Sequence, residues 1–436
     1  MSASVITVRE NQEAYLADYA ARWEALPGGA RLRRTRQDAI ERFGRLGFPT
    51  THNEEWKYTN LAPLLKTPYE PASANAGGAS APQRGPGHLR LTFVNGRFAP
   101  ELSYVREVRG LRLASLREAI AQGAIEERIG SCAAFEDNAM VALNTALFED
   151  GAFLEIAAGT VLEAPIELLF LTAADGKPVV SYPRILIVAG RDSQAQIVET
   201  YRGFGGAPYF TNAVTEVVVG DGAVLEHYKL QEEHEAALHF GMLAAKQGAS
   251  STFTSHNIAL GAALARNEIA AVLDGEGADC NLNGLYLAAR QQHVDNYTTL
   301  DHAKPHSTSH ELYKGILDGK GQGVFHGRII VRPDAQKTDA IQRNKNLLLS
   351  ESAVINTKPQ LEIYADDVKC THGATVGQVD PEAVFYLRSR GIVLEEARRL
   401  LTYAFASEMT ARMKVESIRE HLGTALFTRL SGGGSR

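Results

Sequence analysis

The chain has 436 residues, 44% hydrophobic and 22% charged, with a formal net charge of −6. That length allows two or three domains, or one elongated repeat fold with end pieces. The acidic balance excludes a nucleic-acid binder living on phosphate contacts, which needs a basic surface.

Three cysteines, Cys132, Cys280 and Cys370, are too few and too far apart for a disulfide framework and suggest a reducing compartment. The start, "MSASVITVRENQEAYLADY", lacks the basic and apolar regions of a signal peptide, and no run approaches the roughly 18 apolar residues of a membrane span. A cytoplasmic protein with no membrane partner is expected.

Residues 1–135 read as an N-terminal helical region. "NQEAYLADYAARWEALPGG" places Tyr15, Tyr19, Trp23 and Leu26 at helical spacing and stops at Pro27-Gly28-Gly29. "LRRTRQDAIERFGRLGF" repeats the pattern through Ile40, Phe43 and Leu46. In "NEEWKYTNL", Trp56 and Tyr58 form either a docking surface or an anchor for the N-terminal helices. Residues 70–87, "EPASANAGGASAPQRGPG", have little to bury and read as a linker or disordered loop.

From 136 to 379 short β-branched runs alternate with Gly/Asp turns. Aligning similar breaks gives Ala195, Ala223, Ala249 and Ala278, whose numbers differ by 28, 26 and 29. Later breaks near Gln322, Ala335, Ala353 and Val368 come every 13 to 18 positions. Such a repeat, halved by a second turn, suits stacked β-coils that bury their faces on one another. A mainly β fold follows, a parallel β-helix, or solenoid. An open β-sandwich also gives short strands with such turns. No helical segments of 10–15 residues intervene, which speaks against βαβ units.

Residues 380–436 turn helical again. Asp380 is the expected N-cap, Pro381 the first helical residue and Gly391 the stop. The stripe Leu400, Tyr403, Phe405 and Met409 either packs on the end of the solenoid or docks a partner. The final "SGGGSR" is a native disordered end or a cloning remnant.

Chemistry concentrates in two places. His293, His302, His306 and His310 cluster, but Pro305 disfavours a helix there, and on a strand the set would spread over roughly 27 Å. Structural or surface histidines are expected. No Walker loop, H-E-x-x-H or nucleophile elbow occurs. Asp366-Asp367 raises a glycan-cleaving β-helix enzyme as an alternative.

In "DDVKCTHGATVG", Cys370 and His372 stand two apart, so on a strand they face one way. Thiolate and imidazole suit iron, zinc or copper, but two ligands make only half a site. Val368 shares their parity, so all three can equally point into the solenoid as packing.

The stretch 335–392, "AQKTDAIQRNKNLLLSESAVINTKPQLEIYADDVKCTHGATVGQVDPEAVFYLRSRGI", closely resembles the shared core of the SufB/SufD family of iron–sulfur cluster assembly scaffolds. "GFPTTHNEEWKYTNL", residues 47–61, resembles the signature of its SufD branch. His372-Gly373, where SufB-type chains tend to have His-Glu, points the same way.

The resemblance implies a right-handed parallel β-helix between helical ends and a non-enzymatic scaffold. It implies partners, one SufB-like subunit and two SufC-type ABC ATPases docked on the C-terminal helices. Phe385, Tyr386, Leu400, Tyr403 and Phe405 are the candidate docking residues. It further implies a transient iron–sulfur cluster or iron near the SufB–SufD contact, with His372 the residue tied to it. Cys370 is the weaker candidate, since the principal sulfur-accepting cysteines belong to the partner.

Reduced flavin in the complex, and a homodimer of the isolated chain, stay open. ATP-driven closure of the docked ATPases is expected to twist the solenoids and expose a Cys370/His372 pair shielded at rest. A purely structural brace for the SufB-like subunit, with no metal role, is the remaining alternative.

Overall fold

The computed structural model describes residues 3–73, 89–123, 125–174 and 176–432. Helices α1 (Ala3–Arg22) and α2 (Ala30–Leu46) follow the expected spacing, with Tyr15, Tyr19, Ile40 and Phe43 buried. Short α3 (Ala62–Leu65) and α4 (Leu116–Ala121) come next, then α5 (Ala139–Leu147), which packs against α2. Asn138 starts α5 by accepting from the backbone N–H groups of Met140 and Val141.

From Gly151 to Gly377 the chain winds through eight coils, each giving one strand to each of two parallel sheets. The two sheets face one another across a shared apolar interior that includes Ile187, Ile197, Val217, Leu225, Phe253, Leu282, Leu300 and Ile329. Register fixes the coil length. Leu238 pairs with Leu264, the shortest step at 26 positions, and Gly151 with Arg184, the longest at 33.

The register also corrects the alanine alignment. The residues directly before the paired strand starts are Ser193, Ala223, Ser251, Ala278, Ser307, Thr338 and Val368. Ala223 and Ala278 belong to this column, whereas Ala195 and Ala249 do not. The corner must be small, and all but Val368 are fully buried. A hydroxyl fits as well as a methyl if it is satisfied. Ser251, Ser307 and Thr338 donate to the carbonyls of Gly248, Lys304 and Ala335, three residues back, at 2.8, 3.1 and 2.8 Å.

The near end is closed. Leu89–Val94 extends one sheet and is followed by the antiparallel Arg97–Phe98, while Leu111–Ser115 runs antiparallel on the other. Residues 1–135 therefore contribute strands as well as helices. Of the linker expected at 70–87, Glu70–Pro71 forms a short parallel pairing with Val179–Val180, and 74–87 lie outside the described residues.

Helices sheath the outer faces. The N-terminal helices cover one sheet around Phe153, Leu186, Phe210 and Phe240. Trp56 is buried, its ring 5.9 Å from Phe240, with the Arg266 guanidinium 3.9 Å above it. Of the two readings of "NEEWKYTNL", the anchor is the one observed for Trp56, while Tyr58 is exposed. Thr59 completes the strap. Its hydroxyl donates to Asp295 at 2.5 Å and lies 2.9 Å from His293 Nε2. Thr59→Val leaves both partners short of a bond and should lower unfolding stability by about 1–3 kcal/mol in urea titration.

The C-terminal helices α6 (Pro381–Ser389), α7 (Leu394–Thr410) and α8 (Glu416–Gly432) begin as expected, with Asp380 accepting from Glu382 N. Their position differs from expectation. Residues Ala406, Met409, Met413, Leu422 and Leu426 pack on the outer side of the second sheet, over Tyr228, Ile258, Leu285 and Ile316. Lys314 Nζ donates to Phe405 O at 2.6 Å and to Glu408 at 2.5 Å, and Tyr228 OH accepts from Lys414 N at 3.0 Å. The helices flank the solenoid and do not cap it, because the wide apolar stripe on that sheet lies several coils back from the end. Among the described residues no helix is long and apolar enough to cross a membrane.

Candidate metal-handling site at the open end

With the helices lying alongside, the last coil is left as an edge. Its strands Val354–Ile363 and Lys369–Gly377 each pair on one side only. Cys370 pairs with Ala340 and His372 with Gln342, and both partners are fully buried inside the solenoid. The two side chains therefore sit on the inward parity, as their spacing allows. No further coil covers them. Cys370 is half-buried against the core with Val368, and His372 is exposed. Shielding of the pair at rest is not what the isolated chain presents, because an inward-facing position in a terminal coil still opens on solvent.

Partial burial, and then the charge of Asp339, push the Cys370 thiol above its ordinary value. It stays protonated at neutral pH and is a poor ligand until something displaces the proton. Among the described residues no group of three or more His, Cys, Asp or Glu side chains converges to hold a metal. Cys370 and His372 remain half a site on an unpaired edge.

The other histidines do not join them. His302 is buried between the Ser307 and Ser309 hydroxyls at 2.7 and 2.9 Å, and burial holds it down at about 4, hence neutral. His293 is bound to Thr59, and His306 and His310 are exposed. Asp366 and Asp367 lie in an exposed turn, Asp367 paired with Lys337.

Of the docking candidates, Phe385 and Tyr386 are 74% and 57% exposed, and Leu400 is also on the surface. Tyr403 and Phe405 instead pack toward the solenoid, with the Lys314 ammonium 4.1 Å from the Phe405 ring. Beside them an open groove of about 680 Å³ runs between Ser350-Glu351, Gln378-Val379 and the start of α7, with Glu395, Glu396, Arg398 and Arg399 on its wall.

What sequence reasoning missed is a polar interior. Behind His372 in the same register column lie Gln342, Glu311, Leu282, Ser255 and His227. Deeper still, Lys229 donates to Asn267 at 2.9 Å, and Glu199 accepts from Tyr201 and Thr215 at 2.6 and 3.0 Å, with His227 Nε2 3.0 Å away. Burial alone would raise the Glu199 carboxyl, but the His227 bond and the His227 and Lys229 charges hold it down at about 2. Lys229 is pushed down to about 8 by burial. The signal was present in "EHYKLQE" (226–232), where His227, Lys229 and Gln231 stand on the inward parity. Without the register it reads as an exposed strand.

The family described as "SUF system FeS cluster assembly, SufBD core domain" matches residues 170–405, and "SufBD protein N-terminal region" matches 10–83 and 87–168. The chain belongs to the SufBD family. An iron–sulfur cluster assembly SufBD family protein of Synechocystis is 35% identical over 408 residues, 90% of each chain. The iron–sulfur cluster assembly protein SufD of Escherichia coli is 33% identical over 406 residues, 91% of this chain and 93% of its own. The SufD of Bacillus subtilis is 28% identical over 305 residues, 66% of each. The core match ends inside α7, so SufBD similarity spans the closed end, every coil and the open edge.

Proposed function

We propose that this chain is a SufD-type scaffold subunit whose open end pairs with a SufB-like subunit, and that His372 supplies an imidazole nitrogen to iron at that contact. Iron and sulfide are cargo here. The observation carrying the reading is the terminal coil itself, an edge in both sheets that presents an unhindered imidazole and only half a ligand set. Unpaired edges recruit strands, so a second solenoid completes both the sheet and the site. In the absence of the partner, two copies of this chain can pair by the same edge. SufC-type ATPases dock on the α6–α7 face, where Phe385 and Tyr386 are exposed anchors of the kind that dominate interfaces.

The test is iron and acid-labile sulfide in the complex, purified anaerobically after co-expression with both partners. His372→Ala should keep the stoichiometry and lose iron and sulfide to background. Cys370→Ser should lose less than His372→Ala, since Cys370 is half-buried against the core and His372 is the exposed donor. The lack of a third donor among the described residues favours one other reading, a brace with no metal role. Unchanged iron and sulfide in His372→Ala would establish the brace and end the proposal.

A further inference from the structure

One buried amide inside the penultimate coil is half satisfied. Gln342 is fully buried, and its Nε2 donates to Glu311 Oε2 at 2.7 Å, one coil further in. Among the described residues its Oε1 has no partner, although a buried acceptor without one is costly. Room for the side chain comes from the opposite sheet. A Cβ on Gly327 would lie 2.3 Å from Gln342 Nε2, so only glycine lets the amide fold across at this level. On its other side, Gln342 has His372 as register partner, in an adjacent strand about 4.8 Å away.

We infer that Glu311 and Gln342 are positioning residues for His372. Glu311 pins the amide nitrogen, which turns the amide oxygen outward to accept the inward imidazole N–H, leaving the opposite ring nitrogen unprotonated and facing the open end. This rests on the proposed role of His372 and gives it a definite tautomer. Metal-ligating histidines characteristically donate their second ring N–H to a carboxylate or carbonyl acceptor, and losing that acceptor weakens metal binding about 10–100-fold. Once ionised, a carboxylate at 311 can only accept, so it fixes which end of the Gln342 amide faces it. A glutamine at 311 could bond either end.

The experiment is nitrogen-15 NMR of the His372 ring in the intact chain, with no metal added, at about pH 8.5, where Glu311 is ionised. Wild type should show one neutral tautomer. Glu311→Gln should show a mixture, and the swapped pair Glu311→Gln/Gln342→Glu should restore one, since a carboxylate at 342 accepts from both neighbours. Gly327→Ala, which pushes on the Gln342 amide while leaving Glu311 and Gln342 unsubstituted, should also give the mixture and serves if Glu311→Gln does not fold.

Ring signals identical to wild type in Glu311→Gln or Gly327→Ala would overturn the inference. So would mixed tautomers in wild type. Iron retained by His372→Ala would instead remove the metal role while leaving the tautomer result intact, so the two failures are distinguishable.

Discussion

Arg184→Met should destabilise the fold by about 3–5 kcal/mol, the largest loss expected of any single exchange considered. Arg184 and Glu216 are both fully buried and meet at 2.5 Å. Arg184 also donates to Asn144 Oδ1 and Thr145 Oγ1, at 3.1 and 3.0 Å, so it ties α5 to the sheet. Methionine fills the volume but leaves Glu216 charged in the interior. Glu216 does accept from the backbone N–H groups of Gly130, Cys132 and Ala133 at 2.8, 2.9 and 3.2 Å, which softens the loss and sets its lower bound. Urea unfolding at neutral pH measures it. A second exchange, Glu216→Gln, should recover much of the loss, because the uncompensated charge is the main penalty. A loss under about 1 kcal/mol would mean that the three amides alone hold the carboxylate.

The second effect is in pH. Burial pushes the Glu311 carboxyl up to about 7, against an ordinary 4.5. A raised carboxyl binds its proton more tightly folded than unfolded. Its stabilisation is complete below 4.5 and is lost as pH rises through about 7. A shift of that size corresponds to about 3 kcal/mol across the window. His302 acts oppositely. Held down at about 4 against an ordinary 6.5, it favours the fold above 6.5 and withdraws that contribution as pH falls toward 4. Glu199, Glu226 and Glu232, each held at about 2, act only below 4.5. The difference between Glu311→Gln and wild type therefore isolates one group. The variant should gain about 3 kcal/mol relative to wild type between pH 4.5 and 8. A flat difference would mean that Glu311 titrates normally in its coil.

Much of this architecture was legible in the sequence because it depends on local chemistry. Gly-Asp turns, the Asp380 cap and the helical stripes through Tyr15 and Phe43 each act within a few residues. The coil repeat was visible, but its register was not. Ser251, Ser307 and Thr338 occupy the corner that Ala223 and Ala278 fill, and a satisfied hydroxyl is invisible to a pattern built on methyls. The placement of α7 and α8 was also hidden, since their apolar faces fit the side of a sheet as well as its end. For Cys370 and His372 the parity was readable and the exposure was not. Exposure depends on whether another coil follows. Gln342 and Glu311 became candidates only when pairing put them behind His372.

The ends of the solenoid have a consequence for assembly. One end is sealed by short antiparallel strands and the other is bare in both sheets. A stack of parallel coils with two bare ends would be a monomer for indefinite polymerisation, as cross-β fibres are. With antiparallel strands at one end, only the other end offers a parallel edge to the proposed partner solenoid. Joining a second solenoid consumes both free edges, so growth stops at the pair. On the proposed pairing, the antiparallel strands around Arg97–Phe98 and Leu111–Ser115 act as chain terminators, which would hold the assembly to two solenoids.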